Sequence, residues 1–98
     1  PVVNTPAPPS GLSNNQRREK EKEAKKLKNA LSSLENKITE QESEIEAIEL
    51  KLADPVASKD NNVFYQHAEA QRKLQEYMQR WEKSGEELEA INQELNGE

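Results

Sequence analysis

Seven basic side chains crowd into residues 17–28: Arg17, Arg18, Lys20, Lys22, Lys25, Lys26 and Lys28, against the acidic Glu19, Glu21 and Glu23. Clustered, flexible positive charge is what contact with a phosphate backbone requires, because each neutralised phosphate releases a condensed counterion. Arg18, Lys22, Lys25 and Lys26 recur at spacings that place them on one face of a helix, with Arg17, Lys20 and Lys28 broadening the patch. These seven are the candidate nucleic-acid-binding residues. The bland alternative is a solvated helix face, partly neutralised by Glu87, Glu89 and Glu94.

Other chemistry finds little support. The chain has no cysteine and one histidine, so nucleophile-plus-base pairs have almost no material, and no disulfide or thiolate site can form. His67 has Val63, Phe64, Ala70 and Gln71 at helical spacing, none of which would complete a metal site, so it reads as a histidine at the edge of a helix seam. Gly11, Gly85 and Gly97 build no phosphate-cradling loop. The carboxylates are spread along helix faces with no pocket to raise a pKa. Trp81 could stack a nucleobase, but its register favours a core role opposite Leu34. No catalytic residue, no metal ligand and no cofactor is expected in this chain, and it is not expected to be an enzyme by itself.

The elements that position the basic cluster are helical. Hydrophobic residues make up 32% of the chain and charged ones 34%, too polar for a compact core but sufficient for a narrow helix–helix seam. From Ala24 onward that seam reads Ala24, Leu27, Leu31, Leu34, Ile38, Gln41, Ile45, Ile48, Leu52, with spacings that alternate three and four. This is a heptad a/d pattern with one polar layer at Gln41, which discourages alternative registers. Pro55 disfavours helix at Asp54 and removes a donor, so the first helix stops near Ala53. Asp60 then caps a second helix with its own seam: Val63, His67, Ala70, Leu74, Tyr77, Trp81, Ser84, Leu88, Ile91, Leu95. At the other end Ser13 and Gln16 form a capping-box pattern. Residues 1–13, which include four of the five prolines, read as a flexible linker. The chain begins at Pro1 rather than Met, which suggests a cut from something longer.

The predicted fold is therefore all-α: an antiparallel two-helix coiled-coil hairpin behind a disordered N-terminal linker, with helix 14–53, loop 54–60 and helix 61–96. Antiparallel pairing gives the layers Leu52/Val63, Ile48/His67, Ile45/Ala70, Gln41/Leu74, Ile38/Tyr77, Leu34/Trp81, Leu31/Ser84, Leu27/Leu88 and Ala24/Ile91. Flanking charges add less: Glu44 could reach Lys73, and Lys37 would sit near Arg80. The net charge is −5, unevenly spread: a basic end on an acidic body.

The start Gln16-Arg17-Arg18-Glu19, the turn Leu52-Ala53-Asp54-Pro55 and the late Trp81-Glu82 resemble the C-terminal coiled-coil domain of ABC-F ATPases, over roughly Gln16 to Leu95. The coiled-coil arm of valyl-tRNA synthetase looks broadly similar, but Trp81 and the Ala-Asp-Pro turn suit the ABC-F domain better. The resemblance implies a parent that hydrolyses ATP with Mg, through cassettes upstream of Pro1, and acts on ribosomes, translation or DNA. It implies a module that contacts DNA or ribosomal or transfer RNA through its basic tip. A monomeric hairpin, a cytoplasmic location and no membrane contact are expected with it. The competing class is a protein-interaction or spacer coiled coil that binds no nucleic acid.

Overall fold

A computed structural model describes residues 12–97. Two long helices, α1 (Asn14–Ala53) and α2 (Asn61–Leu95), pack against each other along their length, with a short 3-10 turn at Ala57–Lys59 between them. The described chain is an antiparallel helical hairpin with no strand. The expected linker at residues 1–13 falls mostly outside the described residues.

Both helix starts are fixed by side chains. The Gln16 backbone N–H donates to Ser13 Oγ at 3.2 Å, and the Ser13 N–H donates back to Gln16 Oε1 at 2.9 Å. That reciprocal pair satisfies two donors that an uncapped first turn would leave without partners. Asp60 caps α2 by accepting from the Asn62 N–H at 2.9 Å. Between the helices the chain reverses around Asp54, whose carboxylate accepts from the Val56 N–H at 2.9 Å while its carbonyl accepts from the Ser58 N–H at 2.9 Å. An aspartate that hydrogen-bonds the backbone two residues ahead, followed by a proline with fixed φ, makes a tight stop. The far end of α2 closes one residue earlier than expected. Asn96 is the C-cap, and Gly97 at φ 82° donates its N–H to the Glu94 carbonyl at 3.2 Å. Left-handed backbone of this kind is the province of glycine and terminates the helix.

The seam is thin, as a two-helix structure requires. Ala24, Leu34, Gln41, Ile45, Ile48, Val63, Ala70 and Ile91 are buried, and the tightest cluster joins Ile45, Ile48, Val63 and Ala70 with Leu52 and Leu74 beside it. Small Ala70 lies against larger isoleucines, the large-to-small matching of a seam that fills its own gaps.

Side-chain placements add to the layers read off the sequence and, at Trp81, correct the expected core role. Trp81 is 40% exposed, lying at the rim of the seam, where its indole N–H donates to Glu35 Oε2 at 3.2 Å. An indole is too bulky for one facing helix to cover, and its N–H needs a partner that the apolar seam cannot supply. Gln41 donates to the Ala70 carbonyl at 2.9 Å and to Glu44 Oε2 at 3.3 Å, and because a helical carbonyl points toward the residue four positions on, that bond keeps Gln41 in the layer of Leu74. Glu44 is thereby engaged within its own helix, and no Glu44–Lys73 ion pair forms among the described residues. Lys37 Nζ lies over the Tyr77 ring, 5.8 Å from its centroid.

Candidate nucleic-acid interface

The basic cluster occupies the first four turns of α1, beside the end of α2. Its seven residues divide into two groups. Arg17 and Lys20 are half-buried and turned toward the partner helix. The Arg17 guanidinium donates to the Leu95 carbonyl at 2.8 Å, and Lys20 Nζ lies 3.3 Å from Glu94 Oε1. A cation on the last free carbonyls of a helix complements the negative end of its dipole, so these two residues fasten the end of α2 to α1.

Arg18, Lys22, Lys25, Lys26 and Lys28 are exposed. Lys22 comes within 4.0 Å of Glu19 Oε1, but both side chains are 74% exposed, so the contact holds neither in place. Lys26 shares a shallow groove with Glu23 and Glu87, whereas Arg18, Lys22 and Lys25 continue along the outer face. The first turn of α1 contains no acidic residue, which leaves the positive end of its dipole unopposed beside Arg18. The sequence grouped all seven, and the structure leaves five available to a ligand.

Arg17 and Lys20 carried a signal that could have separated them. Stepping the three-four alternation backward from Ala24 lands on Lys20 and then Arg17, so both continue the seam. Long basic side chains at such positions lay their methylenes along the interface and bring the charge out at its end.

The other titratable groups are structural in placement. His67 Nε2 lies 3.1 Å from Glu49 Oε2 across the helices, at the half-buried edge of the seam. Arg72 bridges Glu69 at 2.6 Å and Glu76 at 2.7 Å along α2. The hydrogen bond from Arg72 holds the Glu69 carboxyl below its ordinary value, and the two carboxylates push the Arg72 guanidinium further up. Among the described residues, no three His, Asp or Glu side chains gather to hold a metal ion, and no helix is long and apolar enough to cross a membrane. Compared with known proteins, the chain matches no family model, no curated protein and no solved structure.

Proposed function

We propose that this hairpin is a nucleic-acid-contacting module that works through the basic end of α1, in the manner of the ABC-F C-terminal coiled coil that its sequence resembles. The observation that carries the reading is the exposed stripe of Arg18, Lys22, Lys25 and Lys26, flanked by Lys28, on a rigid helix whose own dipole adds to the positive potential. Arg17 and Lys20 serve the site indirectly by holding the two helix ends together beneath it.

In this reading the target is DNA or ribosomal or transfer RNA, recognised by its backbone. The exposed groups are point charges and one guanidinium on a single stripe, a set that positions a phosphate chain and reads no base sequence. Catalysis belongs to a parent's ATP- and Mg-using cassettes, the hairpin acts as a monomeric unit within it, and the setting is cytoplasmic. The test is binding of a labelled duplex and a labelled single strand at two salt concentrations. Affinity must fall steeply as salt rises, because counterion release supplies it.

One observation favours the competing class. Near the loop, Leu50, Val56, Phe64 and Tyr65 are all more than half exposed, far from the basic end. Exposed apolar side chains near the turn of a hairpin suit a protein contact. Salt-insensitive or absent nucleic-acid binding would favour that reading.

A further inference from the structure

Trp81 stands between two shallow grooves that the proposed nucleic-acid contact does not use. One, of about 530 Å³, is floored by Leu31 and Gly85 and rimmed by Glu35, Glu82, Glu86 and Glu89. The other, of about 280 Å³, is lined by Trp81 and Glu35 together with Ile38, Thr39 and Met78. No lysine or arginine lines either groove, whereas the grooves nearer the loop and nearer the basic end contain Lys51, Lys73 and Lys26. Among the described residues, Glu82, Glu86 and Glu89 make no ion pair, and all three are exposed.

Gly85 is the second observation. It lies in the interior of α2, where glycine weakens a helix relative to alanine. Nothing inside the hairpin asks for it. A Cβ built there meets no atom within 4 Å, and the left-handed backbone that favours glycine is found at Gly97 instead. A glycine that the fold does not need, on the floor of a groove, leaves room for a partner to approach the backbone closely.

We propose that the grooves flanking Trp81 are a docking surface for a cationic, arginine-bearing polypeptide segment. Its aliphatic portions lie over Leu31, Ile38 and the gap at Gly85. A guanidinium stacks on the exposed indole face, and the neighbouring cations meet Glu82, Glu86 and Glu89. The indole is already oriented for this by its hydrogen bond to Glu35. A planar guanidinium is the cation that best combines ring stacking with paired hydrogen bonds to carboxylates. The same hairpin then presents a cationic end to phosphates and an anionic flank to a basic protein segment, through different residues.

The probe is a fluorescein-labelled arginine octapeptide, followed by anisotropy on the full chain, with Trp81 emission as a site-specific reporter because the chain has a single tryptophan. Saturable binding with quenching of Trp81 is expected. Trp81→Leu should weaken it by about fivefold, the scale of a partly exposed cation–π contact. Gly85→Ala should weaken it similarly by filling the gap, yet raise the thermal midpoint by about 4–8 °C. That opposition is the decisive signature, since a purely structural glycine would give no loss of binding in a more stable protein. The triple change Glu82→Gln, Glu86→Gln and Glu89→Gln should weaken binding further, and the matched set Glu40→Gln, Glu42→Gln and Glu46→Gln should not. Equal affinity for the parent and for Gly85→Ala or Trp81→Leu overturns the proposal, because the octapeptide would then be following net charge alone. A dimer of the chain that Gly85→Ala abolishes would also overturn it, by placing a second copy in the groove. Duplex binding at the basic end is read separately, so neither result depends on it.

Discussion

Replacing Arg18, Lys22, Lys25 and Lys26 together with glutamine should flatten the salt dependence of duplex binding while leaving the hairpin folded. The folding half follows from exposure. All four side chains are exposed, Lys22 makes only a loose 4.0 Å approach to Glu19, and glutamine is a good helix former. The binding half can be sized. If each side chain neutralises one phosphate, the slope of log affinity against log salt loses about 0.9 per residue, about 3.6 in all. Between 50 and 200 mM salt the parent should then lose about 150-fold more affinity than the variant. Anisotropy titrations across that range, on duplexes of unrelated sequence, measure the difference. The loss should be the same for each duplex, because phosphate contacts carry no sequence information. Arg17→Gln is the internal control. It removes equal charge per residue from the same end, but from a side chain committed to the Leu95 carbonyl, so it should shift the slope by much less than about 0.9. Circular dichroism verifies helicity first. A folded quadruple variant with the parent's slope would refute the assignment of the stripe, and a slope change as large for Arg17→Gln would refute the division into two groups.

Arg17→Gln should also lower stability by about 1–2 kcal/mol through the lost charge-assisted bond at the α2 terminus, with faster amide exchange confined to its last turn. Ser13→Ala should cost about 1 kcal/mol by removing the capping hydroxyl, measured by urea unfolding; an unchanged midpoint would mean the box is ornamental. Gln41→Ala removes the bond to the Ala70 carbonyl and leaves a gap, and should destabilise by about 1–3 kcal/mol. It should also broaden the NMR lines of seam methyls as neighbouring registers become accessible, and sharp lines would show that register does not depend on this layer. For pH, Glu69 has its folded value depressed by Arg72, so its stabilising contribution is complete above the unfolded carboxylate value and is lost as pH falls through the folded one. An NMR titration should place Glu69 below ordinary glutamates, and Arg72→Ala should return it to them.

How much of this was legible in sequence can be judged residue by residue. The hairpin and its register were open to reading because heptad alternation is a one-dimensional record of a straight, two-body interface. Ile45, Ile48, Val63 and Ala70, with Leu52 and Leu74 beside them, all lie on the two seams that spacing alone marks out. The caps at Ser13 and Asp60 were equally readable, since capping is settled within three residues. What spacing could not convey was volume. A heptad letter assigns Trp81 to the seam, but only one helix faces each seam position here, and the indole overflows it to 40% exposure. Spacing marked Gln41 as a polar layer, but it could not name the acceptor, the Ala70 carbonyl, that satisfies its amide. The basic cluster divides along this line too. Arg17 and Lys20 share the seam's spacing with Ala24 and Leu27, and their chemistry hid it, because lysine and arginine are read as surface by habit. Extending an apolar period through charged residues identifies which cations belong to the fold. Those left over, Arg18, Lys22, Lys25, Lys26 and Lys28, are the ones free to act on something else.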